Sequence, residues 1–316
     1  MTLLVCSGGG HLKQLQLLLP RLGLSQMDTV WATFDTALSR SLLGTTSVVF
    51  IPYTAPRDIA GTIRNTPLAI RLLRERRIDV VISTGANPAL AFMPAARLLN
   101  KPCHFIESAT RTRGPSLTGA FLSRVPGVHL YTQNNAWSNR RWVYLGSVFD
   151  NFESRGATEN NGPIRRIVVT VGTTETYGFR RLVEKMFEII PRGVDVLWQT
   201  GATDTSGLPI SAWPSVPAAE LVDELQRADV VVAHAGTGSA LAALEAGKCP
   251  VLIPRRAHFA EHVDDHQADT AAELERRNLA IVRSVEGITF EDLNAAARRT
   301  VQSLAAPPPI RLAGLN

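Results

Sequence analysis

Cysteine is scarce in this chain. Its 316 residues hold only Cys6, Cys103 and Cys249, without CxxC spacing and each beside or inside an apolar run. That excludes a disulfide scaffold, gives no sign of a structural metal and points to a reducing compartment. Charge is thin as well, at 19% Asp, Glu, Lys and Arg against about 25% in an average domain, so a large core is expected and disorder is excluded for most of the chain. No stretch reaches the ~20 apolar residues of a membrane-spanning helix; the most apolar, residues 230–253, is broken by His234, several glycines, Glu245 and Pro250. The start, MTLLVCSGGG, lacks a basic leader and a small-residue cleavage site, so a cytoplasmic protein without a signal peptide is expected. No aromatic stacking series accompanies the basic residues, which argues against nucleic acid. GxGxxG is absent and no acid ends the second apolar run, which closes on Thr33 and Phe34, so a nicotinamide dehydrogenase is disfavoured. Without GxxxxGK[ST], so is a P-loop ATPase.

What is present is a repeated alternation. LLVC (3–6), TVWAT (29–33), SVVFI (47–51), DVVIS (79–83) and PCHFI (102–106) are short, β-branched strand patterns. Helical patterns cover 11–19, 35–43, 58–76 and 89–99. A polar, turn-rich linker is expected over 146–163, and the pattern then restarts. Strands are expected at 166–171, 195–199, 229–233, 249–254 and 279–282, and helices at 178–190, 217–227, from 238, at 262–277 and at 290–304. Unbroken apolar strands alternating with helices imply parallel sheets covered on both faces. The architecture read here is two doubly wound, Rossmann-like α/β domains, residues 1–150 and 163–304, followed by a Pro-rich tail over 305–316. The net charge of +5 divides into +9 on residues 1–150 and −4 on the remainder.

In open parallel sheets ligands bind beyond the carboxyl ends of the strands. Three loops there stand out: SGGGH (7–11), VGTT (171–174) and HAGTGS (234–239). Each can offer backbone N–H groups at a helix start to a phosphate or a developing anion, although a single such loop is equally often only a tight connection. PRRAHFAEHVDDHQ (254–267) adds two arginines, three histidines and three acids. His258, His262 and His266 have i, i+4, i+8 spacing, one metal-binding reading; recognition of a many-hydroxyl ligand is a second, and a merely solvated helix start a third.

SGGGHLKQL, ESATRTRGPSLTG (107–119), VTVGTT followed by Phe179, and HAGTGS followed by EHVDDHQ occur here in one order. In these the chain resembles the glycosyltransferase family 28 group of GT-B enzymes, over roughly residues 3–150 and 166–285. It looks like a single-chain fusion of the two subunits of the dolichol-pathway UDP-GlcNAc transferase, and is similar to bacterial exopolysaccharide UDP-sugar transferases. The resemblance implies an inverting transfer from a UDP-sugar held by the C-terminal domain to a lipid-linked or other glycan acceptor on the N-terminal domain, in the cleft of a GT-B arrangement. The candidate bases it implies are His11 and Glu107. UDP contacts would come from Gly9, Gly10, Gly172, Thr173, Thr174, His234, Gly236, Thr237, Gly238 and Ser239, with the uracil read by backbone around Val216. Asp265, His266 and Gln267 match donor-sugar contacts. The family's ribose-binding Glu position is Ala242 here, with Glu245 three residues on as a substitute. The family stabilises its leaving group with helix ends rather than an obligatory metal, and this sequence has no DxD motif; no cofactor is implied beyond the UDP-sugar co-substrate.

The donor stays open among UDP-glucuronate, UDP-glucose, UDP-galactose and UDP-GlcNAc, with Arg255 and Arg256 leaning towards the carboxylate of glucuronate. Residues 56–77 carry six arginines against Asp58 and Glu75, with Ile63, Pro67, Leu68, Ile70, Leu72 and Leu73 as apolar surface, and fit peripheral contact with an anionic membrane. The competing readings are a UDP-sugar 2-epimerase or hydrolase, and a non-catalytic UDP-sugar-binding partner subunit.

Overall fold

The β-branched runs become central strands, and the polar turns after them start helices. The computed structural model describes residues 1–55, 58–157, 162–174, 176–263 and 265–315, and the chain divides into two units. One comprises Met1–Asp150 with Pro307–Asn316, the other Asn151–Ala306.

The first unit is built from β1 (Thr2–Cys6), α1 (Gly10–Leu18), β2 (Thr29–Phe34), α2 (Ala37–Leu43), β3 (Val48–Ile51), α3 (Ile59–Glu75), β4 (Val80–Gly85), α4 (Pro88–Leu98), β5 (Cys103–Ile106), α5 (Leu117–Leu122), β6 (Val128–Thr132) and β7 (Trp142–Tyr144). The sheet is parallel, in the order β3-β2-β1-β4-β5-β6-β7. Every residue of β1, β2 and β4 is buried, as expected of strands covered on both faces. The chain reverses direction across the sheet between β1 and β4, and this switch point opens a crevice at their carboxyl ends. The last two strands carry little sequence signal: His129 and Tyr131 interrupt the apolar run of β6, and β7 is three residues long.

The second unit contains β8 (Phe152–Ala157), β9 (Arg166–Thr170), α6 (Arg180–Ile189), β10 (Asp195–Gln199), β11 (Ala212–Trp213), α7 (Ala218–Arg227), β12 (Val230–His234), α8 (Thr237–Glu245), β13 (Val251–Ile253), α9 (His266–Arg276), β14 (Ile281–Val282), α10 (Phe290–Ala297) and β15 (Arg299–Ser303). Its parallel sheet has the order β11-β10-β9-β12-β13-β14, with the switch point between β9 and β12.

Three expectations are corrected. The expected linker over 146–163 packs in part: Val148, Phe149 and Phe152 are buried, and β8 pairs antiparallel with β15. Residues 158–161 of that span lie outside the described residues. The expected helix over 290–304 stops at Ala297, because β-branched Thr300 and Val301 continue as β15 against β8, where Val301 is buried. The proline-rich end is no loose tail either. Ile310 and Leu312 are buried, Arg21 Nε donates to Pro308 O (2.8 Å), Ile310 N to Arg21 O (2.8 Å) and Ala313 N to Tyr131 Oη (2.9 Å).

Candidate functional site

Each switch point carries a histidine gripped by a glycine loop. In the first unit, Gly9 and Gly10 start α1, and His11 Nδ1 lies 2.6 Å from Thr84 O at the end of β4. A carbonyl only accepts, so Nδ1 is the donor in this contact. Thr84 Oγ1 donates back to the backbone carbonyl His11 O (2.9 Å), so both the ring and the main chain of His11 are tied to the neighbouring strand.

Glu107, at the end of β5, is 1% exposed. Its Oε2 accepts from Ser116 N (2.8 Å) and Ser116 Oγ (2.9 Å), and its Oε1 from Ser108 N (3.1 Å). Burial pushes its carboxyl pKa upward against the pull of these bonds. It closes the 108–116 loop onto the sheet rather than standing open beside His11. Sequence reading missed Gln14, a buried polar residue among the core leucines of α1. Gln14 Nε2 donates to Ser108 Oγ (3.0 Å), while its Oε1 accepts from Ala109 N (2.9 Å) and Gln133 Nε2 (3.1 Å). A glutamine on the apolar face of an otherwise leucine-rich helix was the available signal.

In the second unit His234 ends β12 between two glycines. A Cβ on Gly172 would come within 2.7 Å of His234 Cε1, and one on Gly236 would run into the ring. Gly172 also has φ +80°, so both the close approach and the backbone need glycine there. Desolvation, followed by the Arg255 charge, lowers the His234 pKa to about 3, so the ring is neutral at pH 7. Gly236 caps α8 without a side-chain hydrogen bond, and the following Thr237, Gly238 and Ser239 form its first turn. Among the described residues, His234 Nδ1 and Thr237 Oγ1 are both buried without a hydrogen bond of good geometry; the backbone of Thr170 is the polar group that acts on the His234 ring. Unsatisfied polar atoms at a helix N-terminus are a ready anion site. Thr173 is exposed and Thr174 half-buried on the loop after β9.

The remaining expected contacts fare unevenly. Val216 N is already given to Gln199 Oε1 (3.0 Å), so this amide is not available to a base. Glu245 is exposed at the last residue of α8, about 12 Å along the axis from Thr237 at 1.5 Å per residue, too far down the helix to join the glycine loop. Arg255 is 1% exposed and both its Nη groups donate to backbone carbonyls, its Nε being buried without a partner among the described residues, so it stands within the domain rather than open to a sugar carboxylate; Arg256 is half-buried. Asp265 and Gln267 serve their own loop. Gln267 Oε1 accepts from Arg255 N (3.1 Å), Glu261 Oε2 from Arg256 N (2.9 Å) and Asp265 Oδ1 from Ala257 N (2.9 Å). Asp264 lies outside the described residues. Because α9 begins only at His266, while His258 lies in a short 3-10 turn, the three histidines do not share a helix face. His262 packs between Tyr177 (5.8 Å) and His266 (4.9 Å), ring centroid to ring centroid.

The glycosyltransferase family 28 C-terminal domain model matches residues 166–306, the span that holds this second site. The UDP-N-acetylglucosamine--N-acetylmuramyl-(pentapeptide) pyrophosphoryl-undecaprenol N-acetylglucosamine transferase of Parasynechococcus marenigrum (strain WH8102) is 29% identical over 229 residues, covering 68% of this chain. This chain spans 62% of that relative's length. Among solved structures, Acinetobacter baumannii MurG has a TM-score of 0.56 at 18% identity, covering 93% of this chain and 88% of its own. The UDP-GlcNAc 2-epimerase of Methanocaldococcus jannaschii has a TM-score of 0.55 at 12% identity, covering 98% and 96%. At such identities the structural likeness speaks for the two-domain fold, and the matched domain speaks for the lineage. Residues 166–306 are a family 28 C-terminal domain by this match, and the chain as a whole is similar in fold to two-domain GT-B glycosyltransferases.

Proposed function

We propose that this chain is an inverting transferase that moves a sugar from a UDP-sugar to a hydroxyl of a lipid-linked or other glycan acceptor. The observation that carries the reading is the α8 N-terminus, where among the described residues His234 Nδ1 and Thr237 Oγ1 are buried and unsatisfied beside Gly236 within the matched family 28 domain. A diphosphate supplies the missing partners, and the helix end with its free amides stabilises the negative charge as UDP departs. Gly172, Thr173 and Thr174 approach it from the loop after β9. Gly238 and Ser239 continue the same cradle, and recognition of uracil near Val216 falls to backbone groups other than the Val216 amide.

His11 is the base in this scheme. Its Nδ1–H is held by Thr84 O, which orients the ring, and the ring takes the proton of the acceptor hydroxyl as that oxygen attacks the anomeric carbon. Glu107 positions the acceptor-side loop and does not itself take the proton. Asp265, His266 and Gln267 shape the sugar pocket, two of them by anchoring residues 255–257. No cofactor or metal enters the scheme.

The acceptor side faces an anionic membrane through α3. Leu72 and Leu73 belong to the core, but Ile59 and Ile63 are 74% and 64% exposed, and Pro67, Arg64, Arg71, Arg74, Arg76 and Arg77 lie outside with them. Pro56 and Arg57 of the same segment lie outside the described residues. These exposed residues support peripheral contact with the cytoplasmic face of a membrane.

Thermal unfolding with a panel of UDP-sugars, in magnesium and in chelator, tests the donor half. UDP at 100 times its Kd stabilises the native state by about 2.7 kcal/mol. The midpoint rises equally in both buffers if helix ends hold the diphosphate. No shift with any uridine nucleotide removes the reading.

A further inference from the structure

Arg255 lies two residues beyond the end of β13 and is among the largest fully buried side chains of the protein. Its Nη2 donates to Val171 O (2.6 Å), and its Nη1 to Tyr177 O (2.8 Å) and Glu261 O (3.0 Å). The guanidinium carbon lies 5.5 Å from the centroid of the Phe179 ring, and Arg255 N is fixed by Gln267 Oε1. One side chain thus ties together the loop after β9, the approach to α6 and the approach to α9. Burial lowers its pKa only to about 10, so it is a cation at pH 7. Among the described residues no carboxylate makes an ion-pair contact with it; the Glu261 charge favours the cation from further off, while its carboxylate is engaged by Arg181 (3.3 Å) and by Arg256 N.

Burying a cation is costly, and a hydrophobic residue would fill the same volume at lower cost. We infer that Arg255 is a positioning residue for the donor diphosphate: its fork holds Val171, and hence Gly172, against His234 so that the two glycine loops keep the spacing a diphosphate requires. This rests on the reading of those loops as the diphosphate cradle. The geometry asks for arginine specifically, because three carbonyls from three segments converge on a planar, forked donor stacked on a ring. The single ammonium of lysine cannot reproduce that. The buried positive charge also lies below a site meant for an anion, and it adds to the forces that keep His234 neutral.

The test compares UDP with uridine, which lacks the diphosphate, by calorimetry on the full chain and on Arg255→Met and Arg255→Lys. Arg255→Lys keeps the stem and the charge, and it provides the folded comparison if Arg255→Met does not fold. The expected result is a rise of at least tenfold in the Kd for UDP in the folded variants, with the Kd for uridine unchanged within about twofold. A UDP Kd equal to that of the native chain overturns the inference, and so does an equal loss of UDP and uridine, which is what a general structural role produces. If the native chain binds neither ligand, it is the donor-site reading that fails, not the role of Arg255 within it.

Discussion

At the scale of single residues, two histidines in similar loops sit in different surroundings. His11 is oriented by a carbonyl, whereas His234 is wedged between glycines and held neutral. His11→Ala should lower sugar transfer about 10²- to 10⁴-fold while UDP affinity stays within twofold of the native value. Undiminished turnover would remove His11 as the base. A third histidine gives a pH signature. His104, fully buried on β5, has its pKa lowered to about 4, by burial first and then by His129. Its unfolded value is near 6.5, so between pH 6.5 and 4 the unfolded chain binds the proton that the folded one refuses, and stability falls as pH falls. From pH 7 to 5 the loss from this residue is about 2 kcal/mol. Denaturant titrations of His104→Asn should show a smaller loss over that interval; an identical loss would contradict the assignment. Much at this scale was legible in sequence, since glycine loops with attached histidines announce themselves. The internal duties of Arg255, Gln267 and Glu107 were not legible. An arginine beside a sugar-binding stretch reads as a ligand until its carbonyl partners, distant in sequence, are seen.

At the scale of elements, strand and helix types follow from periodicity, and the errors lie where pairing overrides it. Residues 299–303 carry a polar and apolar mixture that continues a helix as well as it starts a strand; pairing with β8 decides. On α3 the sequence shows apolar and basic residues but not which of the apolar ones the core takes. Packing removes Leu72 and Leu73 and leaves Ile59, Ile63 and Pro67 outside with the arginines. Basic residues near an anionic leaflet contribute about 1 kcal/mol each. Arg71→Ala with Arg74→Ala should therefore weaken binding to phosphatidylserine-containing vesicles by about tenfold or more in a sedimentation assay. Equal binding by native and variant chains would move the membrane contact off α3.

At the scale of the whole molecule, the chain crosses from the first unit to the second at Asp150 and returns at Pro307. The return segment is anchored by the buried Ile310 and Leu312 and by Arg21, itself 4% exposed. Full burial of such side chains is worth about 1.5–3 kcal/mol each, so deleting residues 307–316 should lower the midpoint of thermal unfolding by about 5 °C or more. An unchanged midpoint would mean that the segment contributes nothing to the first unit. Two sheets with switch points were legible from the alternation of strands and helices, but the return segment was not, because prolines conceal its two anchoring side chains. The uneven charge, +9 then −4, also has a place in this scheme: an acidic half can hold a diphosphate if helix ends and amides provide the attraction. The same two-domain fold serves a 2-epimerase, so transfer itself is the property to measure. The measurement is UDP release from UDP-sugars in chelator, with and without a polyprenyl-diphosphate glycan acceptor, alongside mass analysis of the acceptor. The expected result is UDP release that depends on the acceptor, with one sugar added to it. Release at the same rate without acceptor, or conversion of the donor to its 2-epimer with no sugar transferred, would contradict a transferase.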